Sequence, residues 1–387
     1  MIRVAHLVPS MAVGGRERIV ADLCRTAAPH GIDPIVITYD PVPGSAELDP
    51  VAPIVALERR RRGFPATLVG TLQHRRIDLL HAQGHVAAAL ARHVTRAMPM
   101  VATLHIALGS GWRWLPAIAR GLRAADAVTA VSGDLARQFG WIAGRRIATI
   151  PTGVDLARFA ASTALRPDAP FTIGIAARLH PVKRHADAIA ALRLVEKRGR
   201  RCRLLIAGEG PLHEEIARAG AGLDVRMLGP VADMASFYRR LDALLLPSDH
   251  EGTPAALLEA MACGLPCIAT TVGGVPALAT GAALLVPARD PVRLAEAIAR
   301  LMVDASLRAR LGTAAAARAA DYSLAAQADA YAALYRDVLA ARRPQRDPKG
   351  QRLGGWHRRD RQRGRNALRP AIAPAPTTGV TTDSAAA

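Results

Sequence analysis

Short runs of β-branched residues alternate with helical patterns over almost the whole chain, and few folds accommodate that order. Consecutive parallel strands need a crossover connection, so the alternation predicts parallel sheets covered by helices on both faces. A polar, proline-containing joint near residues 160–170 interrupts the alternation, which then restarts. At 387 residues the chain is also long for one hydrophobic core. The sequence therefore predicts two doubly wound α/β domains in succession.

The predicted strands of the first half are IRVAHLV, DPIVITY, IDLLHAQ, PMVATLH, DAVTAV and RRIATIP, and those of the second half are FTIGIAA, CRLLIAG, DVRMLG, DALLLP and PCIATT. Helices are expected between them, and the first, RERIVADLCRTAAPHG, should end at Gly31 as its C-cap. Ligands of doubly wound sheets bind outside the carboxyl ends of the strands. The residues that follow each strand are therefore the candidates for function.

The last segment, residues 342–387, differs in composition from the rest. It holds 11 Lys and Arg against 3 Asp and Glu, so 8 of the net charge of +19 lie there, with no apolar period. This composition predicts a disordered basic tail. Nucleic-acid binding is disfavoured because the folded part has no recognisable motif for it and aromatic residues are only 4% of the chain. An anionic membrane or phosphorylated substrates explain the charge equally well.

Cysteine usage and apolar runs predict a cytoplasmic location. The four cysteines show neither metal-ligand spacing nor the density of a disulfide framework, which is typical of a reducing compartment. No signal peptide is expected, because the apolar start is short and runs directly into a turn. No spanning helix is expected either, because the longest uncharged run is broken by Gly and Pro.

The segment SDHEGTPAALLEAMACG contains two glutamates, one before the start of an otherwise apolar helix and one inside it. Thr253 suits an N-cap, Pro254 suits the first helical position, and Gly264 ends the helix. Glu251 then precedes the helix and Glu259 lies about a turn and a half inside it. Helical side chains lean toward the N-terminus, so both carboxylates are expected to face one cavity.

Such a cavity suits a nucleotide sugar. The free N–H groups at the helix N-terminus suit a phosphate, Glu259 can accept hydrogen bonds from ribose hydroxyls, and Glu251 can hold a second sugar. The alternative is that Glu259 is solvated and Glu251 only complements the helix dipole. The apolar neighbours of Glu259 leave little room for a solvated face, which favours the ligand site.

Two further loops of the second half follow predicted strands. Arg178 and Lys183, in ARLHPVK, are two cations five residues apart that can neutralise a diphosphate, although a solvated basic loop is the alternative. Gly208 and Gly210, in AGEG, allow the backbone to approach a ligand closely.

In the first half, Gly14 and Gly15 form a turn that can bring backbone N–H groups near a phosphate or sugar. The turn lacks the third glycine of a dinucleotide fingerprint, so NAD binding is disfavoured. No cofactor is expected, and the nucleotide sugar would be a substrate. The chain has no Asp-x-Asp sequence, so no metal bridging a diphosphate is indicated.

Taken in order, these motifs resemble the retaining glycosyltransferases of family 4, which have the GT-B fold. The resemblance includes HLVPSMAVGGRERIV, AVTAVSGDLARQF, IPTGVDLARF, LLIAGEGPL and PSDHEGTPAALLEAMACGLPCIATT, and it covers nearly everything except the tail. It implies two Rossmann-like domains that face a cleft. The expected divisions are an acceptor-side domain at 1–165, a nucleotide-sugar domain at 166–322, a helix at 323–341 that crosses back to the first domain, and the tail at 342–387.

The resemblance also implies roles for the matching residues. Arg178 and Lys183 would hold the donor diphosphate, Glu259 the ribose and Glu251 the donor sugar, while Gly15 would approach the phosphate from the first domain.

One further match is His105, at the end of PMVATLH, which would meet the transferred sugar across the cleft; taken alone, it is a satisfied histidine at a strand end. Among departures from the family pattern, Thr152 replaces an asparagine and Arg184 replaces the glycine after the lysine.

The implied activity is transfer of a sugar from a nucleoside diphosphate, UDP ahead of GDP, to an acceptor hydroxyl with retained anomeric configuration and without a metal. The family's commonest setting is bacterial exopolysaccharide, capsule or glycolipid assembly, with a sugar or lipid-linked acceptor. The alternatives are a nucleotide-sugar epimerase of the same fold and a basic nucleic-acid-binding protein that uses the tail.

A lipid-linked acceptor would require membrane contact, and two basic stretches, 59–65 and 109–123, are candidates. In the second stretch Trp112, Leu115, Ile118 and Leu122 recur at helical spacing beside arginines. This pattern is typical of an interfacial helix at the inner face of the plasma membrane, or of a helix that packs on its own sheet.

Overall fold

Two parallel β-sheets form the framework of the protein. The structure, a computed structural model, describes residues 1–12, 14–41, 48–108, 114–160 and 170–342. These residues belong to one compact unit, Met1–Arg343. The predicted tail, except for its first residue, lies outside the described residues, as do Trp112 and Arg113.

The first sheet has seven strands in the order β3-β2-β1-β4-β5-β6-β7. They are β1 (Ile2–Val8), β2 (Ile32–Thr38), β3 (Ile54–Ala56), β4 (Leu79–Gln83), β5 (Met100–Leu104), β6 (Ala127–Ala130) and β7 (Ala148–Thr149). The helices between them are α1 (Gly15–Arg25), α2 (Phe64–His74), α3 (His85–Leu90), α4 (Leu115–Ala124) and α5 (Gly133–Ala143). The strand order changes direction between β1 and β4, so the crossovers on either side of this point lead to opposite edges of the sheet.

The second sheet has six strands in the order β10-β9-β8-β11-β12-β13. They are β8 (Thr172–Ala176), β9 (Arg203–Ala207), β10 (Val225–Gly229), β11 (Ala243–Leu246), β12 (Cys267–Thr270) and β13 (Leu284–Val286). The helices are α6 (His185–Lys197), α7 (His213–Ala219), α8 (Met234–Arg239), α9 (Ala255–Ala262), α10 (Val275–Ala279), α11 (Pro291–Val303) and α12 (Ala305–Ala320). The order changes direction between β8 and β11. The predicted fold class, two doubly wound parallel-sheet domains, is confirmed.

Local details differ from the sequence prediction. Strands β3 and β13, three residues each, were not predicted, because runs this short carry no usable period. The first helix ends at Arg25 rather than at Gly31. Pro29 lies in a separate 3₁₀ turn, and Gly31, with a φ of 70°, ends that turn instead. A proline has no N–H to extend the α-helical ladder, which accounts for the earlier end.

The last helix, α13 (Leu324–Arg342), follows the second sheet in sequence but packs on the first. Tyr331 and Tyr335 are almost fully buried in the hydrophobic cluster of the first sheet. Tyr335 forms a hydrogen bond of 2.7 Å with His81, and Arg342 forms an ion pair with Asp126. The helix therefore connects the end of the described chain to the first sheet.

Helix α4 does not present the predicted apolar stripe to a membrane. Ile118 and Leu122 are buried in the cluster of the first sheet, and Leu115 packs against it. The helix packs on its own sheet, so the interfacial interpretation of this stripe is wrong for the described residues 115–123. None of the described helices has the length and apolar character needed to cross a lipid bilayer.

Helices α3 and α4 cross closely at Gly121, which gives a stability prediction. A Cβ at Gly121 would lie 2.4 Å from the carbonyl oxygen of Ala88 and 2.6 Å from its carbonyl carbon, both rigid backbone atoms. We expect Gly121→Ala to lower the free energy of unfolding by about 1–3 kcal/mol. The matched control is Gly70→Ala on α2, where a Cβ meets nothing within 4 Å.

That control should raise stability by about 0.5–1 kcal/mol, because alanine favours the helix. Urea unfolding of the two variants measures the difference, and equal stabilities would contradict the packing argument.

Candidate functional site

The predicted site residues converge on the carboxyl edges of the two sheets, beside the points where strand order changes direction. Arg178 and Lys183 follow β8, and Glu251 follows the neighbouring strand β11. Gly208 follows β9, the other neighbour of β8. His105 follows β5 in the first sheet. Parallel topology thus brings together residues that lie far apart in the sequence.

Lys183 and Glu251 form an ion pair between the β8 and β11 loops. The Lys183 Nζ atom lies 2.6 Å from the Glu251 Oε1 atom, and the Glu251 side chain is buried. The pair is charge-assisted and largely shielded from water, so each group neutralises the other. A diphosphate at this edge would compete with Glu251 for the lysine.

Arg178 is exposed, and its guanidinium has no ion pair or hydrogen bond among the residues that the structure describes. Arg184, which replaces the family glycine, has a φ of 52°, in the left-handed region that favours glycine. Its guanidinium binds Asp187 at both carboxylate oxygens, at 2.9 and 2.8 Å. This bidentate contact offsets the backbone strain and holds the loop that carries Lys183.

The helix that carries Glu259 begins one residue later than predicted. Pro254 is the N-cap in an extended conformation, with no side-chain cap, and α9 starts at Ala255. Thr253 is not the N-cap: its hydroxyl donates to the carbonyl oxygen of Val131, at 2.6 Å, after strand β6 of the first sheet. The predicted stop at Gly264 is confirmed, with a φ of 68°. The first-turn N–H groups of α9 are thus left without a side-chain cap.

Glu259 lies in a cavity between α1, α9 and the segment 152–159. Its Oε2 atom accepts a hydrogen bond of 2.8 Å from the Tyr238 hydroxyl. Burial raises the pKa of Glu259, and the Tyr238 hydrogen bond and the charges of Arg18 and Arg158 partly offset that effect. The solvated-helix alternative does not fit these surroundings.

Glu251 is not among the residues that line this cavity. The cavity therefore does not join the two carboxylates as the sequence predicted. The side chain of Glu251 is turned to Lys183 instead, which is the physical reason for the difference.

Sequence reasoning missed most of the cavity wall. It consists mainly of charged groups with both signs, contributed by α1 and the segment 152–159: Arg18, Asp22, Arg25, Asp155 and Arg158. Burial raises the pKa of Asp22 to about 6, against the opposing charges of Arg25 and Arg18. The spacing of Arg18, Asp22 and Arg25 along α1 places them on one helical face, a signal that the sequence did contain.

The glycines predicted at the site differ in what their backbone requires. Gly208 has a φ of 142°, and a Cβ there would lie 2.0 Å from the carbonyl oxygen of Ala177. Gly210 is similarly crowded, with a Cβ position 2.5 Å from the Leu179 carbonyl oxygen. Their absent side chains let the β9 loop lie against the β8 loop. Gly14 and Gly15 lie at the N-terminus of α1, and space is open around Gly15.

His105 is buried at the edge of the first sheet. Its Nε2 atom lies 2.8 Å from the Oε1 atom of Gln83. Burial, with a smaller effect of the nearby Arg16 charge, lowers the pKa of His105 to about 3, so the ring is neutral near pH 7. Its backbone carbonyl faces the second sheet: a Cβ at Gly252 would lie 2.8 Å from the His105 oxygen. His105 is therefore a neutral group at the contact between the two sheets.

Metal and thiol chemistry find no support in the described residues. No group of three or more His, Cys, Asp or Glu side chains within ranges 1–12, 14–41, 48–108, 114–160 and 170–342 has the arrangement of a metal site. All four cysteines are free. Burial raises the pKa of each thiol, which disfavours the thiolate form that reacts or binds metal.

Two family descriptions match the chain, one for each sheet. "Glycosyltransferase Family 4" matches residues 13–158, and "Glycosyl transferases group 1" matches residues 170–304. Together they cover well over half of the chain.

Individual proteins point the same way. The chain is 32% identical over 220 residues to a D-inositol 3-phosphate glycosyltransferase of Saccharomonospora viridis, over 50% of this chain and 51% of the relative. The chain thus spans about half the length of that relative. It is 28% identical over 389 residues to a glycogen synthase of Mycobacterium tuberculosis, over 89% of this chain and 92% of the relative.

Among solved structures, Anabaena HepE in complex with UDP is similar in fold, with a TM-score of 0.73 and 21% identity. The alignment covers 87% of this chain and 100% of HepE. HepE was also solved with UDP-glucose and with UDP and glucose.

Buried His185, beside Lys183, gives a pH prediction. The residue is 2% exposed, and neither ring nitrogen has a hydrogen-bond partner among the described residues. Burial lowers its pKa to about 4, with the Lys183 charge adding to the effect. The unfolded chain therefore takes up a proton that the folded chain does not. The stability contributed by neutral His185 is present above pH 6.5 and is lost as the pH falls toward 4.

We expect His185→Leu to reduce the loss of stability between pH 7 and pH 4 by about 3 kcal/mol. Urea unfolding across this pH range measures it, with His213→Leu, an exposed histidine on α7, as the matched control. An unchanged pH dependence in His185→Leu would contradict the prediction.

Proposed function

Because the chain belongs to glycosyltransferase family 4 and has the GT-B fold, we propose that it transfers a sugar from a nucleoside-diphosphate sugar to an acceptor hydroxyl. One observation carries the proposal. Arg178, Lys183 and the uncapped N-terminus of α9 all lie at the carboxyl edge of neighbouring strands β8 and β11. Two cations and a helix N-terminus at one edge match the charge of a diphosphate.

The diphosphate is the leaving group, so its stabilisation is the main catalytic requirement. Arg178 is exposed and unpaired among the described residues, and it is available for bidentate binding of a phosphate. Lys183 is already held in the β8 loop by Glu251. When a diphosphate binds, the lysine is shared with the phosphate oxygens, and Glu251 is freed to accept hydrogen bonds from the donor sugar.

Glu259 is proposed to bind the ribose. Tyr238 occupies its Oε2 atom, which leaves Oε1 as an acceptor for ribose hydroxyls in the charged cavity. Gly208 and Gly210, whose missing side chains let the β9 loop pack on the β8 loop, are proposed to line the nucleotide from that loop, and Gly14 and Gly15 are proposed to approach it from the first sheet. His105 is proposed to meet the transferred sugar.

Retention is proposed to occur by front-face transfer, in which the departing phosphate oxygen takes the proton of the acceptor hydroxyl while the new glycosidic bond forms. No carboxylate of the described residues is identified as a covalent nucleophile, and Glu251, which is paired with Lys183 at 2.6 Å, is proposed to position the donor sugar and not to attack it. Transfer without a metal is part of the proposal, since Arg178 and Lys183 supply the positive charge that a metal would otherwise provide.

The donor is proposed to be a UDP-sugar ahead of a GDP-sugar, a choice that the HepE complexes with UDP and UDP-glucose support. The acceptor is proposed to be a sugar or lipid-linked sugar of a bacterial exopolysaccharide, capsule or glycolipid, in the cytoplasm or at the inner face of the plasma membrane. Because Ile118 and Leu122 are buried, the proposed association with an anionic membrane rests on the basic charge of the chain and not on these two side chains.

Of the alternatives, the epimerase is not favoured, because both family descriptions name glycosyltransferases. Product analysis separates the two, since an epimerase needs no acceptor. The nucleic-acid-binding alternative depends on a tail that lies outside the described residues, and truncation after Arg342 tests it.

Binding of the donor is the first test. Thermal shift against UDP, GDP, ADP and their glucose conjugates should show a nucleotide-selective rise in Tm. Glu259→Ala and Arg178→Ala should each weaken binding about tenfold to a hundredfold, because each removes a charged hydrogen-bonding group worth about 1.5–3 kcal/mol. Arg200→Ala, an exposed arginine outside the site, is the matched control. If no nucleotide raises the Tm of the wild type, the proposed function fails.

Front-face transfer makes a second prediction, about Glu251. Incubation with donor in the absence of acceptor should give no glycosyl adduct on the protein by mass spectrometry. Glu251→Gln should lower kcat/KM about tenfold to a hundredfold, because a neutral amide holds both Lys183 and the sugar less strongly. Asp249→Asn, a nearby carboxylate paired with Arg289, is the control and should change kcat/KM only a few-fold. A trapped adduct on Glu251 would instead establish a double displacement.

A further inference from the structure

A chain of buried polar side chains runs through the first sheet to His105. Gln83, at the end of β4, is fully buried and lies at its centre. The Gln83 Nε2 atom is 3.0 Å from the Nδ1 atom of His6 and 3.2 Å from the Nδ1 atom of His81. Its Oε1 atom is 2.8 Å from the Nε2 atom of His105. One carboxamide thus contacts three imidazole rings on three neighbouring strands or their ends.

The orientation of the Gln83 amide, with its nitrogen toward His6 and His81 and its oxygen toward His105, determines the protons along this chain. A carboxamide nitrogen has two N–H donors and no acceptor, so the Nδ1 atoms of His6 and His81 must both accept. His81 then carries its proton on Nε2, which donates to the Thr103 hydroxyl at 2.7 Å. The Tyr335 hydroxyl of α13, 2.7 Å from His81 Nδ1, makes the main donation to the single lone pair of that nitrogen, and the 3.2 Å contact from Gln83 is the weaker share.

The Gln83 oxygen is then the acceptor that faces His105. A carbonyl oxygen can only accept, so His105 carries a proton on Nε2. Burial lowers the pKa of His105 to about 3, which means that the ring holds only that one proton near neutral pH. Its Nδ1 atom therefore has a free lone pair. That atom is buried and has no hydrogen-bond partner among the described residues.

A buried acceptor without a partner costs about 1–3 kcal/mol, so a ligand hydroxyl that reached it would gain the corresponding interaction. The backbone oxygen of His105 lies against Gly252, the residue that directly follows Glu251 in the second sheet's loop. A donor sugar held by the Glu251 loop would therefore lie beside the backbone of the residue that carries this imidazole.

We propose that Gln83 is a positioning residue for His105: its carboxamide oxygen fixes the imidazole as the neutral Nε2–H tautomer and thereby presents Nδ1 as an acceptor to a hydroxyl of the donor sugar. This inference rests on the proposed function for the identity of the ligand, but the tautomer itself is a property of the free protein. Tyr335 and Thr103 contact His81, the neighbouring ring of the chain, and neither contacts His105 by a side-chain hydrogen bond among the described residues.

The test is ¹⁵N NMR of the full chain labelled at histidine, with His105→Asn used to identify the His105 resonances. At pH 7 the free protein should show a protonated Nε2 and an unprotonated Nδ1 for His105. UDP-glucose should move the Nδ1 resonance toward the hydrogen-bonded range, and UDP alone should not. A protonated Nδ1 in the free protein would overturn the proposal, as would an Nδ1 resonance that is unmoved in protein saturated with UDP-glucose.

The pH dependence of kcat/KM in two Gln83 variants distinguishes a positioning role from a merely structural one. Gln83→Glu places a carboxylate beside Nε2, which raises the pKa of His105 and protonates Nδ1. We expect kcat/KM to fall about tenfold at pH 7, the value of one lost hydrogen bond, and to recover as the pH rises through the new pKa of His105. Gln83→Leu removes the acceptor, so the fall should be present without that recovery.

The matched control is Thr103→Val, which removes a hydrogen bond of the same buried chain but leaves His105 untouched. It should lower Tm with the His105 tautomer and kcat/KM preserved. Gln83→Glu with the pH profile of the wild type would overturn the proposal. If UDP-glucose fails to bind the wild type, the proposed donor is at fault, and the tautomer of the free protein still decides the role of Gln83.

Discussion

The packing of α13 on the first sheet is the interaction on which the rest of the arrangement depends. Just before the helix, Ser323 forms a β-bridge with Val154, in the segment that joins the two sheets. The middle of the helix is buried in the hydrophobic cluster of the first sheet. Tyr331 and Tyr335 bring hydroxyl groups into that core, and such groups are tolerated there only when they are hydrogen-bonded. Thr103 and His81 provide the partners. The hydrogen-bonded chain that reaches His105 and the contact that anchors α13 therefore share residues, namely His81 and Thr103.

The carboxyl edges of the two sheets carry different charged groups. On the second sheet, Arg178 and Lys183 supply positive charge that a diphosphate can meet. On the first, desolvation keeps the buried His105 neutral, so it offers hydrogen bonds without charge. Helix α1 nevertheless brings charges of both signs, Arg18, Asp22 and Arg25, to the Glu259 cavity. Among the described site residues, the concentration of positive charge without a facing carboxylate is therefore greatest at Arg178, on the β8 loop.

The sequence predicted the fold well because the hydrophobic period and the crossover rule are local or topological signals. It placed every long strand, and hence the loops at the carboxyl edges. It could not predict side-chain pairings across those loops. The ion pair of Lys183 with Glu251, and the turn of Thr253 toward Val131 instead of its own helix, both depend on residues distant in sequence. Gln83 escaped notice because a single amide in an apolar strand carries no pattern.

The hydrogen bond from Thr253 to the Val131 carbonyl joins the two sheets' loops at the mouth of α9. A bond of this kind contributes about 0.5–1.5 kcal/mol net, which changes a two-state population only about twofold to tenfold. Taken alone, this hydrogen bond biases the loops toward contact without making their separation rare. Movements that separate loops of this kind occur on microsecond to millisecond timescales.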